Sequence, residues 1–374
     1  MSSGGHEPIQ TPSSIWVFGS TKALGSISAF THFIRMSRSR LAIGLLGAFL
    51  AGAMAGCVSK SQPMGPIQGT PRLTDRALVT ADGVALPMRR WLPEGAPRAV
   101  IVALHGMNDY SLAFDGPGRY WAYAGLSTYA FDQRGFGASP QGGVWAGADT
   151  MVADLSGAVD AVRQVHPAVP VVVLGESMGG AVVAHALTRG AIHSVRSPVD
   201  PAPSTALADR IDGAVLSAPA LLGPAAMPWP ARLALWSARH TVPGWIVRPP
   251  RGLRIVPSDN IAMLQAFGRD PLVRKHTRMD TLAGLTDLMA AADAGIGSWP
   301  PSLPMLVLFG KNEQVLPAEA VRRARASIDA RHGANPVQVK VYEAGYHMLL
   351  RDINARQVLD DLAAWVLAPG KPLL

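Results

Sequence analysis

VVVLGESMGGAVVAHAL, residues 171–187, decides how this chain folds. Val171 to Leu174 form a short run of β-formers, apolar throughout, as expected of a strand covered on both faces. From Met178 onward the residues are small or helix-tolerant. Ser177 therefore stands where a strand must turn into a helix within almost no residues. Gly175 and Gly179 flank it, because a Cβ at either position would crowd so sharp a turn. The pattern Gly175-Glu176-Ser177-Met178-Gly179 is G-x-S-x-G. The five residues alone are a weak signal in a chain with 38 glycines. The strand before and the helix after supply the context that turns the pattern into a nucleophile elbow. The competing reading is a tight βα turn with a glycine-packed helix.

Working outward, the chain alternates. Residues 76–92 hold two strand-like runs about Asp82-Gly83, a hairpin signal. Residues 98–106 and 127–132 read as strands. Val152, Leu155, Val159 and Val162 recur at helical spacing within 149–166. Strands follow at 212–219, 303–310 and 336–343, with helices at 318–331 and 353–367. A hairpin followed by βα alternation predicts an α/β fold with a doubly wound, mostly parallel sheet. Between about 221 and 298 the alternation breaks. This span is rich in Pro, Trp, Met and Arg, and its later part reads as helices. It is expected to be a mainly helical cap over the strand ends, or else a surface insertion with its own small core.

A serine hydroxyl needs a base within hydrogen-bond reach, and the base needs a carboxylate to fix its tautomer. On such a sheet the partners belong in loops after later strands. Glu313 follows one strand in LPMLVLFGKNEQVLP, and His347 follows the last in VKVYEAGYHMLLRD. Asp352 is the alternative acid, although it is better placed to start the last helix. The other histidines fall in the leader (His6, His32), on or beside helices (His166, His185, His193, His332), or in the insertion (His240, His276). His105 follows a strand, but the glycine beside it suggests another job. An oxyanion would need two donors. The backbone N–H of Met178 is one. Gly106 lets the loop Leu104-His105-Gly106-Met107-Asn108 turn inward, which makes the N–H of Met107 the second.

In this order and at these separations, LHGMND, FDQRGFGAS, GESMGG, LFGKNEQVLP and AGYHMLL resemble the monoacylglycerol lipase and lysophospholipase branch of the α/β-hydrolases, the serine aminopeptidase-like hydrolases. The resemblance covers roughly residues 75–367. SDNIAMLQAFGRDPLV and LAGLTDLMAAAD are similar to that family's cap. The resemblance implies a serine ester hydrolase acting through Ser177, His347 and Glu313 on a monoacylglycerol or lysophospholipid, with no cofactor. No metal is expected, because cysteine ligands are absent and no two histidines have helical ligand spacing with an acid partner. It also implies that Asp132 to Ser139 shape the loop beside the elbow. The family usually carries aspartate where this chain has Glu313. A peptidase or acyltransferase would use the same three residues, and a non-catalytic binding scaffold is the third possibility. The five acids of the insertion are few for recognising a free amino terminus.

The 374 residues, 48% of them hydrophobic, are ample for one large core with an insertion. The formal charge is +8. Four basic residues (Lys22, Arg35, Arg38, Arg40) and one acidic residue (Glu7) precede Cys57, so the remainder carries +5. Its arginines are scattered, which argues against a nucleic-acid partner. Cys57 is the sole cysteine, so no intrachain disulfide forms. Upstream, residues 36–57 join a positive flank to an uncharged apolar run that is short for a bilayer span. Met54-Ala55-Gly56-Cys57 resembles a bacterial lipobox, with methionine where leucine is usual. This implies lipidation of Cys57 and an exported chain held at the membrane, facing the periplasm. An uncleaved anchor helix, or a signal peptide cut elsewhere, is the alternative. Residues 1–35 match no element, and Met36 is expected to be the true start. Residues 58–72, rich in Pro, Gly, Gln and Ser, read as a flexible tether to a hydrolase domain at 73–374.

Overall fold

The strand of the opening stretch, β6 (Val171–Glu176), is buried along its whole length, as an apolar run without alternation requires. It lies inside a nine-stranded sheet, seen in a computed structural model that describes residues 59–188, 206–223, 226–248, 255–331 and 337–373. In chain order the other strands are β1 (Arg72–Leu73), β2 (Ala77–Val79), β3 (Ala85–Trp91), β4 (Ala99–Leu104), β5 (Leu126–Phe131), β7 (Gly213–Ser217), β10 (Met305–Gly310) and β11 (Gln338–Tyr342). Their spatial order is β1-β2-β3-β5-β4-β6-β7-β10-β11. Strands β5 to β11 of this order run parallel, and the antiparallel hairpin β2–β3 is attached through β3 to β5.

Side chains alternate across the parallel strands, and each face is covered. Val100, Val102, Val171 and Val173 meet the helices α2 (Ala148–Val165), α3 (Met178–Thr188) and α7 (Ala318–Asp329). Ile101, Ala103, Val172 and Leu174 meet α1 (Asp115–Tyr123) and α8 (Ala355–Leu367). On α8 the buried residues Val358, Leu362, Trp365 and Val366 form its inward stripe. Trp365 lies over Gly213, where a Cβ would come within 2.8 Å of the indole. Trp365→Ala would cost about 3–5 kcal/mol through the cavity left there.

Between β7 and β10 the chain forms the cap: α4 (Trp229–Thr241), α5 (Ile261–Arg269), α6 (Met279–Ala294) and a two-stranded ribbon of β8 (Ile246–Val247) and β9 (Thr277–Arg278). Leu285, Leu288, Met289 and Ala292 of α6 belong to the same core cluster as α2 and α3. Trp299, just beyond, donates its indole N–H to the Ala184 carbonyl of α3. The cap is thus welded to the domain through α6, and among the described residues it forms no separate core cluster. The helices α1 and α4, the short strand β1 and the β8–β9 ribbon carry no periodicity signal in the sequence.

The reading of 58–72 as a flexible tether is corrected by the structure. Gln62 is buried, its N–H bonds the Trp145 carbonyl and its amide the Val144 carbonyl. Met64 N–H reaches Thr150 Oγ1, Gly65 N–H reaches Asp82 Oδ2, and Gln68 N–H reaches the Ala81 carbonyl. Composition reports apolar burial; this segment is held by backbone N–H groups and the buried Gln62 amide instead. Residues 1–57, with Cys57 and the leader histidines, lie outside the described residues, as do His193 and His332. Among the described residues, no helix is long and apolar enough to cross a membrane.

Candidate active site

The loops that carry chemistry all leave the carboxyl ends of parallel strands, where open α/β sheets gather their sites. Ser177 joins β6 to α3 with φ +53°, a left-handed conformation that a serine adopts only when its surroundings hold it there. Its N–H donates to the Ser217 carbonyl at the end of β7, and its own carbonyl accepts from Ala181 and Ala220. Both flanking glycines are required. A Cβ on Gly175 would sit 2.4 Å from the Gly179 carbonyl oxygen, and one on Gly179 would sit 2.3 Å from that of Leu104.

Ser177, His347 and Glu313 come together in the order the sequence suggests. His347 Nε2 is 2.9 Å from Ser177 Oγ, and Nδ1 is 2.6 Å from Glu313 Oε2. Glu313 Oε1 accepts from the Val315 and Leu316 amides at 2.6 and 3.0 Å. The carboxylate can only accept, so it draws the ring proton to Nδ1 and leaves Nε2 as acceptor for the serine hydroxyl. Burial pushes the Glu313 carboxyl up, but the charge and hydrogen bond of His347 and the two amides outweigh it and hold the group below its ordinary value. Burial likewise pushes His347 down, yet Glu313 holds it above the ordinary 6.5, with Glu176 adding to the rise and Arg351 opposing it. The longer glutamate is accommodated: it reaches both the imidazole and its own loop. Asp352 does not touch His347. It accepts from Ser258 Oγ and Tyr346 N–H, and burial raises its pKa to about 6.

The loop after β4 closes the other side. A Cβ on Gly106 would lie 3.3 Å from Ser177 Cβ, which measures how near this backbone runs to the serine. His105 is fully buried and fixes the loop. Its Nδ1 donates to the Gly106 carbonyl, 2.8 Å, and its Nε2 accepts from the Gln133 N–H, 3.0 Å. Those partners allow one neutral tautomer, and burial lowers the pKa accordingly. Asp132 holds the neighbouring turn by accepting from Ser111 N–H and Oγ and from Ala138 N–H. Gly137 beside it has φ +55°, and a Cβ there would strike Asp132 Oδ2. Met107 and Met178 line the same cavity as Ser177 and His347.

That cavity holds about 280 Å³, at the small end of ligand pockets. Val247, Phe267, Leu282, Leu285 and Met289 of the cap wall it, so it is mostly apolar. Two charged clusters nearby carry no local sequence signal. Arg134, in the FDQRGFGAS turn, is buried between Asp82 and Asp154 and bonds both. Arg351 reaches Asp109 and Glu176 at the wall of the cavity.

With this geometry in hand, the chain can be set beside known proteins. The family described as serine aminopeptidase S33 (Hydrolase_4) matches residues 95–354. The monoacylglycerol lipase of Mycolicibacterium smegmatis is 26% identical over 313 residues, 79% of this chain and 97% of that protein. The monoglyceride lipase of Rattus norvegicus is 26% identical over 310 residues, 82% of this chain and 94% of that protein. Among solved structures, the monoacylglycerol lipase of Paleococcus ferrophilus superposes with a TM-score of 0.56 at 21% identity, covering 76% of this chain and 98% of that one. A soluble variant of the Saccharomyces cerevisiae monoglyceride lipase, bound to a substrate analogue, gives 0.60 at 17% identity, covering 81% and 95%. At these identities the structural likenesses establish the α/β-hydrolase fold.

Proposed function

We propose that this chain, which belongs to the serine aminopeptidase S33 (Hydrolase_4) family and is a serine ester hydrolase, cleaves a lipid ester, a monoacylglycerol or lysophospholipid, through Ser177, His347 and Glu313. The observation that carries the reading is the continuous hydrogen-bonded line Ser177 Oγ, His347 Nε2, His347 Nδ1, Glu313 Oε2, opening into an apolar cavity.

The mechanism follows from the geometry. Ser177 Oγ attacks the ester carbonyl while His347 Nε2 takes its proton. Glu313 keeps the other ring proton on Nδ1 and balances the imidazolium. The Met107 and Met178 amides receive the oxyanion. His347 then gives its proton to the leaving alkoxide, and the alcohol departs. Water, activated by the same ring, attacks the acyl-serine and releases the fatty acid. The apolar cap wall suits the acyl chain, and the names of the two lipase relatives agree with that substrate class. An aminopeptidase would need a free carboxylate for the substrate ammonium. Asp109 and Glu176, the two acids lining the cavity among the described residues, are both engaged by Arg351.

The reading extends to location: Cys57 is a lipidation site, and the enzyme is exported and held at a membrane facing the periplasm. What supports it, beside the leader sequence, is the cap. Trp229, Leu233 and Trp236 share one face of α4 and are exposed (72% for Trp229), with exposed Trp245 and Ile246 following.

Release of fatty acid from a series of 1-acylglycerols and 1-acyl-lysophospholipids tests the substrate. Turnover of long-chain members that disappears in Ser177→Ala supports the reading. Turnover of peptides with no release from any lipid ester overturns it. Incorporation of labelled palmitate into the wild type but not Cys57→Ser tests the anchor.

A further inference from the structure

The four loops that meet at Ser177 lie beyond the ends of their strands, where no sheet ladder fixes the distance between them. One side chain joins two of these loops, those after β4 and β11, to Glu176, the last residue of β6. Arg351 stands four residues after His347 on the β11 loop, in a short 3-10 turn (Leu349–Arg351). Its Nη2 lies 2.8 Å from Asp109 Oδ2 and 3.3 Å from Glu176 Oε1. Asp109 is two residues past Met107, and Glu176 is two residues before Met178. The Asp109 contact is an ion pair off the hydrogen-bond axis. All three side chains are nearly closed to solvent, 12% exposed for Arg351, 4% for Asp109 and 2% for Glu176.

The backbone around Arg351 is itself pinned. Its N–H donates to the Met348 carbonyl, and its carbonyl accepts from Asn260 Nδ2 at the start of the cap helix α5. Phe267 of the same helix lies 5.9 Å from the guanidinium. A buried ion cluster of this kind is a poor device for stability, since apolar side chains of similar volume fill such a space as well or better. It can hold separations, because one nitrogen, Nη2, is shared between two buried carboxylates that stand on different segments and ties both to the His347 loop.

We propose that Arg351 is a positioning residue that clamps the Met107 loop to the Ser177 elbow and so sets the separation of the two amides that receive the oxyanion. The proposal rests on the hydrolase reading above. The clamp acts in the rate of acylation more than in ground-state binding, because the oxyanion exists only after attack. It also touches the base. The charged groups around His347 are Glu313 on its Nδ1 side, Glu176 and Arg351 on the elbow side, and Asp109 beyond Arg351. Arg248, Arg274 and Lys275 stand on the cap wall of the same cavity. Glu176 raises the affinity of His347 for its proton and Arg351 lowers it. The two halves of one ion pair therefore pull the base in opposite directions.

The test is steady-state hydrolysis of p-nitrophenyl acetate, a short soluble ester, by wild type, Arg351→Met, Arg351→Lys and Glu176→Gln, each with a pH profile and a thermal unfolding curve. The clamp predicts that kcat of Arg351→Met falls about 10- to 100-fold while KM stays within about threefold. Arg351→Lys, which keeps the charge on a shorter side chain, lies between. The acid limb of kcat/KM moves to higher pH in Arg351→Met and to lower pH in Glu176→Gln. A folded Arg351→Met with kcat within about twofold of wild type overturns the proposal, and so do limbs that move together or not at all. If Arg351→Met does not fold, Glu176→Gln decides, because it keeps Arg351 paired one-to-one with Asp109. Reduced kcat with an acid-shifted limb supports the clamp there, and unchanged kcat and limb overturn it. A wild type that neither turns over this ester nor reacts with a fluorophosphonate refutes the hydrolase reading itself, a different outcome from loss of the clamp alone.

Discussion

Glu313→Gln tests the triad assignment at its most specific point. The carboxylate accepts three hydrogen bonds, one from His347 Nδ1 and two from the Val315 and Leu316 amides. A glutamine in its place has one acceptor oxygen and one NH2. With the oxygen on the two amides, the NH2 faces Nδ1 and forces that nitrogen to accept. The ring proton then sits on Nε2, pointing at Ser177 Oγ, and the base is lost. The opposite orientation restores the tautomer but sets the NH2 against two N–H donors. Each buried unsatisfied donor costs about 1–3 kcal/mol, so the unproductive arrangement is favoured by about 2–6 kcal/mol. Loss of the negative charge opposite the imidazolium adds to the penalty. The same kind of change in a serine-protease triad lowers kcat about 10⁴-fold. We expect kcat/KM for p-nitrophenyl butyrate to fall about 10³- to 10⁴-fold, or roughly 4–5.5 kcal/mol at 1.36 kcal/mol per decade. Thermal unfolding should change little, because the side chain keeps its volume. A folded Glu313→Gln enzyme with more than about a tenth of wild-type kcat/KM would show that Glu313 does not set the His347 tautomer.

Other consequences are open to measurement. His347 must be neutral to act as base, and its proton is held more tightly than usual, so kcat/KM in the wild type should fall as pH drops through a limb lying above 6.5; a limb at or below that value contradicts the coupling to Glu313. Gly179→Ala places a Cβ 2.3 Å from the Leu104 carbonyl oxygen, where only backbone movement relieves it. It should cost about 3 kcal/mol or more and lower the unfolding midpoint by about 5 °C or more, and an unshifted midpoint means the elbow is looser than described. Replacing Trp229 and Trp236 by serine removes exposed side chains only. Soluble p-nitrophenyl butyrate should be turned over as before while activity on vesicle-borne monoacylglycerol drops several-fold, and equal loss on both substrates would count against a lipid-facing α4.

The fold was legible where signals are local. The run Val171–Leu174, the glycines about Ser177 and the later strands carry their meaning in adjacent residues, and the sheet follows. The positions of Glu313 and His347 followed from the rule that loops after parallel strands converge. What escaped depends on distant partners. α1, DGPGRYWAY, holds two glycines and a proline and reads as a poor helix. It is kept helical by packing: Trp121 is fully buried and donates to the Leu359 carbonyl of α8, while Gly118 lies against the Trp91 ring. α4 was hidden among prolines, although Pro230 in its first turn is a proper helix start. The segment from Gln62 to Gln68 has no periodicity because it is held mainly by its backbone N–H groups, with the Gln62 side-chain amide added. The partners Asp82, Arg134 and Asp154, and likewise Asp109, Glu176 and Arg351, stand far apart in sequence, and no spacing joins them before the sheet does.

The central claim is that Ser177 is a nucleophile activated by His347. The most direct measurement is mass-spectrometric mapping of the adduct formed by a fluorophosphonate with the folded wild type, Ser177→Ala and His347→Ala. The account predicts one phosphonyl group per chain on the peptide bearing Ser177 in the wild type, none in Ser177→Ala, and labelling slowed by orders of magnitude in His347→Ala. An adduct on another residue, or equal labelling with and without His347, would contradict it.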